Sequence, residues 1–320
     1  MELRLALGGF CTALVLSLAL GPLVIPLLRA QRLGQVVRDD GPARHLGKSG
    51  TPTMGGLIFL PAFALASLAW GGRGLSVFLV LVTTAGFALL GFGDDYLKVG
   101  RKRSLGLRAR EKLLGQFVLG FSLAVAAVFS LGRGTDVWLP LFEQQWPLGY
   151  WYLPFGALVV VGSSNAVNLT DGLDGLAAGV AVVAALAYVF VCAEFGYAEL
   201  GVVAAALAGA CAGFLAYNRH PARVFMGDTG SLAIGAVLGS LAVLTRTELL
   251  LVLIGGIYVW ETFSVVSQVL FFRLTGRRLW RMSPYHHHLE LGGWSEVKVV
   301  RTLWLAGGLL AALAVALMKS

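Results

Sequence analysis

Residues 75–93 read LSVFLVLVTTAGFALLGFG, an apolar run without one charged side chain that ends on Asp94-Asp95. A helix that crosses a bilayer needs about 20 such residues, so this stretch reads as a membrane span with two adjacent carboxylates at its polar end. Comparable runs cover 5–28, 54–71, 113–131, 151–166, 176–193, 199–217, 230–245, 249–272 and 299–318, which predicts about ten transmembrane helices. The clearest are 75–93 and 249–272, whereas 151–166 is short and ends in Ser163-Ser164-Asn165. Composition agrees: 57% of the 320 residues are hydrophobic, 13% are charged, and the mean hydropathy is +0.78. Ordinary soluble chains hold about 45–50% and 25%. Disorder, a coiled coil and a water-soluble α/β enzyme are excluded, leaving an all-α polytopic membrane protein, one domain over 1–320 with its chemistry confined to loops.

The charges are distributed unevenly. Taking alternate loops, 29–53, 94–112, 167–175, 218–229 and 273–301 hold 20 of the 25 Lys and Arg residues. Cytoplasmic loops retain these cations, so both termini are expected on the non-cytoplasmic side. The first run loosely imitates a signal peptide at Ser17-Leu18-Ala19, but it continues past Pro22 and Pro26 and lacks a basic start, so it reads as a retained span. Cys11, Cys192 and Cys211 lie in apolar runs and form no disulfide or zinc pattern. On the far side, 132–150 reads as a small hairpin or interfacial cover, with Trp138, Trp146, Tyr150, Trp151 and Tyr152 as an aromatic belt. No internal repeat supports an inverted-repeat transporter.

The polar residues on the basic side need a different explanation. Asp94 and Asp95 sit at a helix C-terminus, where the macrodipole disfavours acids, so the pair calls for a cation or a basic clamp. In Asn165-Ala166-Val167-Asn168-Leu169-Thr170-Asp171-Gly172-Leu173-Asp174-Gly175, the residues Asn165, Asn168, Asp171 and Asp174 fall at three-residue steps, with no basic neighbour. This cluster reads as a binding surface, against the plainer alternative of a turn that caps the next helix. A third string, from Tyr217 and Asn218 through Phe225 to Asp228 and Ser231, opens directly into a helix, where Asp228 is either an N-cap or a ligand. Aspartates from three separate loops on one face suggest a hard divalent cation, and Mg²⁺ suits a few carboxylates together with phosphate oxygens. In Pro284-Tyr285-His286-His287-His288-Leu289-Glu290, three consecutive histidines cannot converge as a zinc centre. They suit anion contact or proton exchange instead. Lys48, beside Thr51-Pro52-Thr53-Met54-Gly55-Gly56, adjoins a helix start able to face phosphate. Of Lys98, Arg101, Lys102, Arg103, Arg108, Arg110 and Lys112, most read as topology and anionic membrane-lipid contacts.

Taken in order, Thr51 to Gly56, Asp94-Asp95-Tyr96, Asn165 to Gly175, Phe225 to Ser231 and His286 to Glu290 resemble the motifs of the polyprenyl-phosphate N-acetylhexosamine-1-phosphate transferases over nearly the whole chain. The His-His-His-x-Glu and TPTMGG forms favour the bacterial phospho-N-acetylmuramoyl-pentapeptide transferase branch. The resemblance implies transfer of phospho-MurNAc-pentapeptide from UDP-MurNAc-pentapeptide to undecaprenyl phosphate, giving lipid I and UMP for peptidoglycan. It implies an active site on the cytoplasmic face of the bacterial inner membrane, Mg²⁺ as cofactor and a homodimer, with no nucleic acid partner. Asp228 would hold Mg²⁺, and Asp94 or Asp95 would orient or deprotonate the lipid phosphate. Asn168, Asp171, Asp174, Asn218 and Phe225 would recognise the uridine side and polar atoms near the metal. Lys48 and Lys112 would hold phosphates, with Thr53 and Asn165 among the substrate-binding positions. His286, as a catalytic group, and His287 and His288, as binding groups, would support the sugar or diphosphate.

Two rivals remain at this level. A UDP-N-acetylglucosamine transferase of the same fold would keep the aspartates and change the sugar pocket. A lipid-linked-sugar transporter would need polar residues reaching both faces, and here they crowd one. Glu261, inside a span, is assigned a structural role near Ser264 and Ser267, with a bend in that helix.

Overall fold

A computed structural model describes residues 2–31, 48, 50–100, 106–140, 142 and 144–318. Of the cations singled out above, Arg101, Lys102 and Arg103 lie outside the described residues, as does Ser49. The helices are α1 (Glu2–Ala30), α2 (Gly56–Trp70), α3 (Leu75–Gly100), α4 (Ala109–Phe129), α5 (Tyr152–Thr170), α6 (Leu176–Glu194), α7 (Ala198–Asn218), α8 (Gly227–Thr245), α9 (Glu248–Ile254), α10 (Gly256–Thr275), α11 (Tyr285–Leu291) and α12 (Glu296–Leu317). Strands β1 (Asp136–Leu139) and β2 (Gln144–Pro147) pair antiparallel, Asp136 opposite Pro147, as the hairpin expected between α4 and α5.

Among the described residues, eight helices are long and apolar enough to cross a membrane, and α9 with α10 make a ninth as a pair bent by 86°. The tenth apolar run, α2, has 15 residues, about 22 Å of helix against a hydrocarbon core of about 30 Å. The run 249–272, read as one continuous span, is thus broken. The break falls at Gly255-Gly256, where two residues without side chains leave the helix free to turn. It lies six residues before Glu261, so that acid is not its cause.

Helix α8 is central, with 89% of its most apolar window buried, against 28% for α1 and α4. Helices α3 and α5 pack on α8, and α1 and α6 pack on α7. In lipid, helices associate through close packing of small residues, and α7 shows how. A Cβ on Gly209 would stand 2.1 Å from the Phe10 carbonyl oxygen, and one on Gly213 would stand 2.7 Å from that of Leu14. Similarly, a Cβ on Gly91 would meet the Asp228 carbonyl oxygen at 2.2 Å. Glycine at that position lets α3 reach the start of α8.

The hairpin end is fixed by a buried charge cluster. Arg133 Nη2 donates to Glu248 Oε1, Arg133 Nε donates to the Val243 carbonyl at 2.8 Å, and its guanidinium lies 3.9 Å from the Tyr152 ring centroid. Tyr152 donates its hydroxyl to the same Glu248 oxygen at 2.6 Å. Tyr152, expected in the aromatic belt, is therefore fully buried, while Trp146, Tyr150 and Trp151 are exposed. Removing one partner leaves an uncompensated buried charge, which costs about 3–5 kcal/mol. Glu248→Ala is expected to lower unfolding stability in detergent by that amount, read from SDS or thermal unfolding. A loss below about 1 kcal/mol would place the pair in the weak class of exposed ion pairs.

Candidate active site

The motifs on the cation-rich loops meet at one end of the bundle, beginning with backbone pairing. The Phe225 N–H donates to the Pro52 carbonyl at 2.8 Å, Gly55 to Phe225 at 2.8 Å, and Gly56 to Met226 at 3.1 Å. The TPTMGG segment is thereby zipped to the segment that opens α8. Thr53 is buried beside Gly227, where a Cβ on the glycine would stand 2.8 Å from Thr53 Oγ1.

Asp94, Asp95 and Asp228 share one neighbourhood, and they differ in what they do there. Asp95 accepts from the backbone N–H groups of Asp228 (3.1 Å) and Thr229 (2.9 Å) and from Thr229 Oγ1 (2.8 Å). It thus supplies from α3 the anionic cap that the exposed N–H groups at the start of α8 require. Asp228 is not the N-cap, which is Met226, but lies in the first turn of α8. Its Oδ2 receives Lys112 Nζ at 2.7 Å and Lys98 Nζ at 3.1 Å, and its Oδ1 receives Asn168 Nδ2 at 2.9 Å. Asp94 accepts the Leu107 N–H at 2.7 Å on Oδ1 and faces Lys98 at 2.5 Å and Lys112 at 3.9 Å on Oδ2. Two ammonium groups therefore bridge two carboxylates. Asp94 and Asp95 are almost fully buried, whereas the Lys98 side chain is 38% exposed and brings the cluster to the surface.

Asp171 adds a fourth carboxyl. Burial, then the neighbouring carboxylates Asp228, Asp95 and Asp174, push it well above the usual carboxylate range against the backbone N–H it accepts from Gly227. Asp94, Asp95 and Asp228 outnumber the two lysines, and Asp171 adds a further oxygen donor to the set. That chemistry fits a hard divalent cation such as Mg²⁺.

A second cluster adjoins the first through the 171–175 loop. Lys48 Nζ lies 2.7 Å from Asp174 Oδ1 and 2.6 Å from Glu296 Oε1, and His220 Nδ1 lies 3.1 Å from Asp174 Oδ2. Asp174, His220 and Glu296 offer ligand-type atoms within 4.8 Å of one another, but the Lys48 ammonium already sits on both carboxylates. Asn218 ties the loops together, accepting the Gly175 N–H at 3.1 Å and donating to the Val224 carbonyl at 3.0 Å. Phe225 is half-buried. Asn165 stands one turn before Asn168 and donates to Gln116 Oε1 at 2.7 Å and to the Val161 carbonyl at 2.8 Å, outside both clusters.

The three histidines diverge. His286 is fully buried with Nδ1 3.2 Å from Glu261 Oε2, His287 Nδ1 is 2.9 Å from Glu290 Oε2, and His288 accepts the Arg281 N–H while stacking on Tyr285. From the sequence alone, Lys98 was grouped with cations read mostly as topology and lipid contacts, Glu261 was given a structural role, and His220 and Glu296 were given no site role. Lys98 had left a signal, since it lies one helical turn after Asp94 and so shares its face. Glu261 had left one as well, an acid inside an apolar span, whereas His220 and Glu296 left none, because their partners are distant in sequence.

Comparisons with known proteins agree with one another. The model for glycosyl transferase family 4 matches residues 77–246, and the phospho-N-acetylmuramoyl-pentapeptide-transferase signature 1 matches residues 48–60. A phospho-N-acetylmuramoyl-pentapeptide-transferase of Desulforamulus reducens is 55% identical over 298 residues, covering 91% of this chain and 89% of the relative. One from Moorella thermoacetica is 54% identical over 299 residues, covering 93% and 94%, and one from Desulforudis audaxviator is 53% identical over 321 residues, covering 96% of each.

Proposed function

Because this chain belongs to the phospho-N-acetylmuramoyl-pentapeptide-transferase family within glycosyl transferase family 4, we infer that its carboxylate–lysine cluster transfers phospho-MurNAc-pentapeptide from UDP-MurNAc-pentapeptide to undecaprenyl phosphate. The products are lipid I and UMP, and the pathway is peptidoglycan synthesis. The observation that carries the reading is the bridging of Asp94 and Asp228 by Lys98 and Lys112, which sets two ammonium groups able to receive phosphate oxygens beside two carboxylates. The chain forms one membrane domain over 1–320 in the bacterial inner membrane. Both termini lie on the non-cytoplasmic side and the site faces the cytoplasm, as the cation count supports.

In this reaction an oxygen of the lipid phosphate attacks the phosphorus attached to the sugar, and the bond from that phosphorus to the UMP oxygen breaks. The lipid phosphate is already ionised near neutrality, so no strong base is needed. Asp94, whose Oδ2 faces the lysines, orients the acceptor, while Asp95 holds the start of α8 in place. Lys98 and Lys112 take up phosphate oxygens. Asp228, kept in register by Asn168, would hold Mg²⁺, with Asp171 adjacent. When bound, Mg²⁺ supplies charge neutralisation for the diphosphate and the departing UMP. Lys48, Asp174, Asn218 and Phe225 form the nucleotide side, Thr53 supports the donor-facing backbone, Asn165 joins α5 to Gln116 of α4 one turn from Asn168, and His287 and His288 lie toward the sugar.

Purified protein incubated with undecaprenyl phosphate, Mg²⁺ and labelled UDP-MurNAc-pentapeptide is expected to form a lipid-linked product with one UMP released per transfer. UDP-N-acetylglucosamine is expected to give none. Product from the second donor alone would move the enzyme to the N-acetylglucosamine branch, and label crossing vesicles without lipid-linked product would make it a transporter.

A further inference from the structure

The mechanism makes no use of Glu261. Glu261 lies in α10 with no exposed surface, and an ionisable side chain inside a span is expected to serve a function with a definable partner. Its Oε2 accepts the backbone N–H of His286 at 3.2 Å and stands 3.2 Å from Nδ1 of the same ring. The ring is itself fully buried, and its far edge abuts Gly172, where a Cβ would stand 2.3 Å from Nε2. Neither Nδ1 nor Nε2 has a hydrogen-bond partner among the described residues, so Glu261 holds His286 through its backbone N–H and stands in contact with the Nδ1 edge. Gly172 belongs to the loop between α5 and α6, with Asp171 on one side against Gly227 and Asp174 two residues on against Lys48. One line of contacts therefore runs from the bent α10, through an imidazole, into the backbone that carries two site aspartates.

We propose that Glu261 is a positioning residue: by holding both the backbone and the Nδ1 edge of His286, it fixes that ring as the spacer that sets the height of the Asp171–Gly175 loop. A carboxylate suits the place because the N–H of His286 is one of the orphan donors in the first turn of α11 and needs an acceptor, and because the same oxygen stands against the Nδ1 edge of the ring. The proposal rests on the assignment of this loop to the nucleotide donor.

The test is a kinetic cycle on purified Glu261→Ala, Glu261→Gln, His286→Ala and the double variant, with donor and acceptor varied separately. Outer-shell losses run about 10–100-fold, so Glu261→Ala is expected to raise KM for the nucleotide donor about tenfold while leaving KM for the lipid acceptor within about twofold. Glu261→Gln, whose amide oxygen can accept the same N–H, should return donor KM to within about threefold of wild type, and the double variant should be no worse than His286→Ala. Equal losses on both substrates with a lower Tm, or additive losses in the double variant, would overturn the proposal. If Glu261→Ala is not recovered from the membrane, Gly172→Ala presses on the same ring from the other side. It should give the same donor-specific rise, and an unchanged donor KM would overturn the idea equally. A wild-type enzyme that turns over while Glu261→Ala leaves donor KM unchanged sinks the positioning role alone. Wild type inactive on both donors sinks the functional reading and this one with it.

Discussion

Asp228→Ala is expected to lower UMP release by about 10³-fold, the upper part of the range for removing one preorganised electrostatic stabiliser. That corresponds to about 4 kcal/mol of transition-state free energy. The size follows from how many groups converge on one side chain. Asp228 receives Lys98 and Lys112 on one oxygen and Asn168 on the other, so its loss leaves two ammonium groups without their shared partner and removes the carboxylate assigned to the cation. Asp228→Asn keeps the volume and the contact with α3 while removing the charge, and it should lose nearly as much. A thermal-unfolding profile close to wild type for the Asn variant would show that charge, not folding, is the cause. Turnover within about tenfold of wild type in a folded variant would remove Asp228 from its proposed role.

Chelation of divalent cations is expected to bring lipid I formation to background, with recovery on adding Mg²⁺ back. The reason is electrostatic. Asp94, Asp95 and Asp228 meet two lysines in a largely buried space, and the substrates bring a diphosphate and a lipid phosphate to that already negative place. Like charges at these separations repel strongly where water is scarce. Two lysines cannot balance the sum, whereas a divalent ion on oxygen donors can. Ca²⁺ should restore less than Mg²⁺, because its longer bonds and higher coordination number fit a compact phosphate clamp poorly. Full activity in excess EDTA, after dialysis, would leave the lysines as the sole counter-charge. Lys98→Ala should then cost far more than the chelator.

The same cluster shows how far a linear reading reaches. Asp94, Asp95, Asp228, Asn168 and Asp171 were legible as candidates because each interrupts an apolar stretch at a membrane edge, where an acid without a partner is costly. Their division of labour was not legible. Adjacent in sequence, Asp94 and Asp95 point to opposite duties, one toward Lys98 and the other onto the backbone of Asp228 and Thr229. Lys48 was expected on phosphate and instead meets Asp174 and Glu296, which are 126 and 248 residues away. The histidine triplet divides three ways, with His286 turned inward to Glu261.

The sequence by itself determined the membrane class, the number of apolar segments, the alternation of cation-rich and cation-poor loops and the places where acids interrupt apolar runs. Each of these follows from transfer free energies summed over neighbouring residues, which need no knowledge of distant ones. Only the tertiary structure decided where the span 249–272 breaks, that Tyr152 is buried on Glu248, and which cation meets which acid. A hydrogen bond or ion pair is directional and short, so its energy depends on which remote segment arrives within about 3 Å. That arrival is set by the packing of whole helices, down to a glycine at position 91 that lets α3 close on α8.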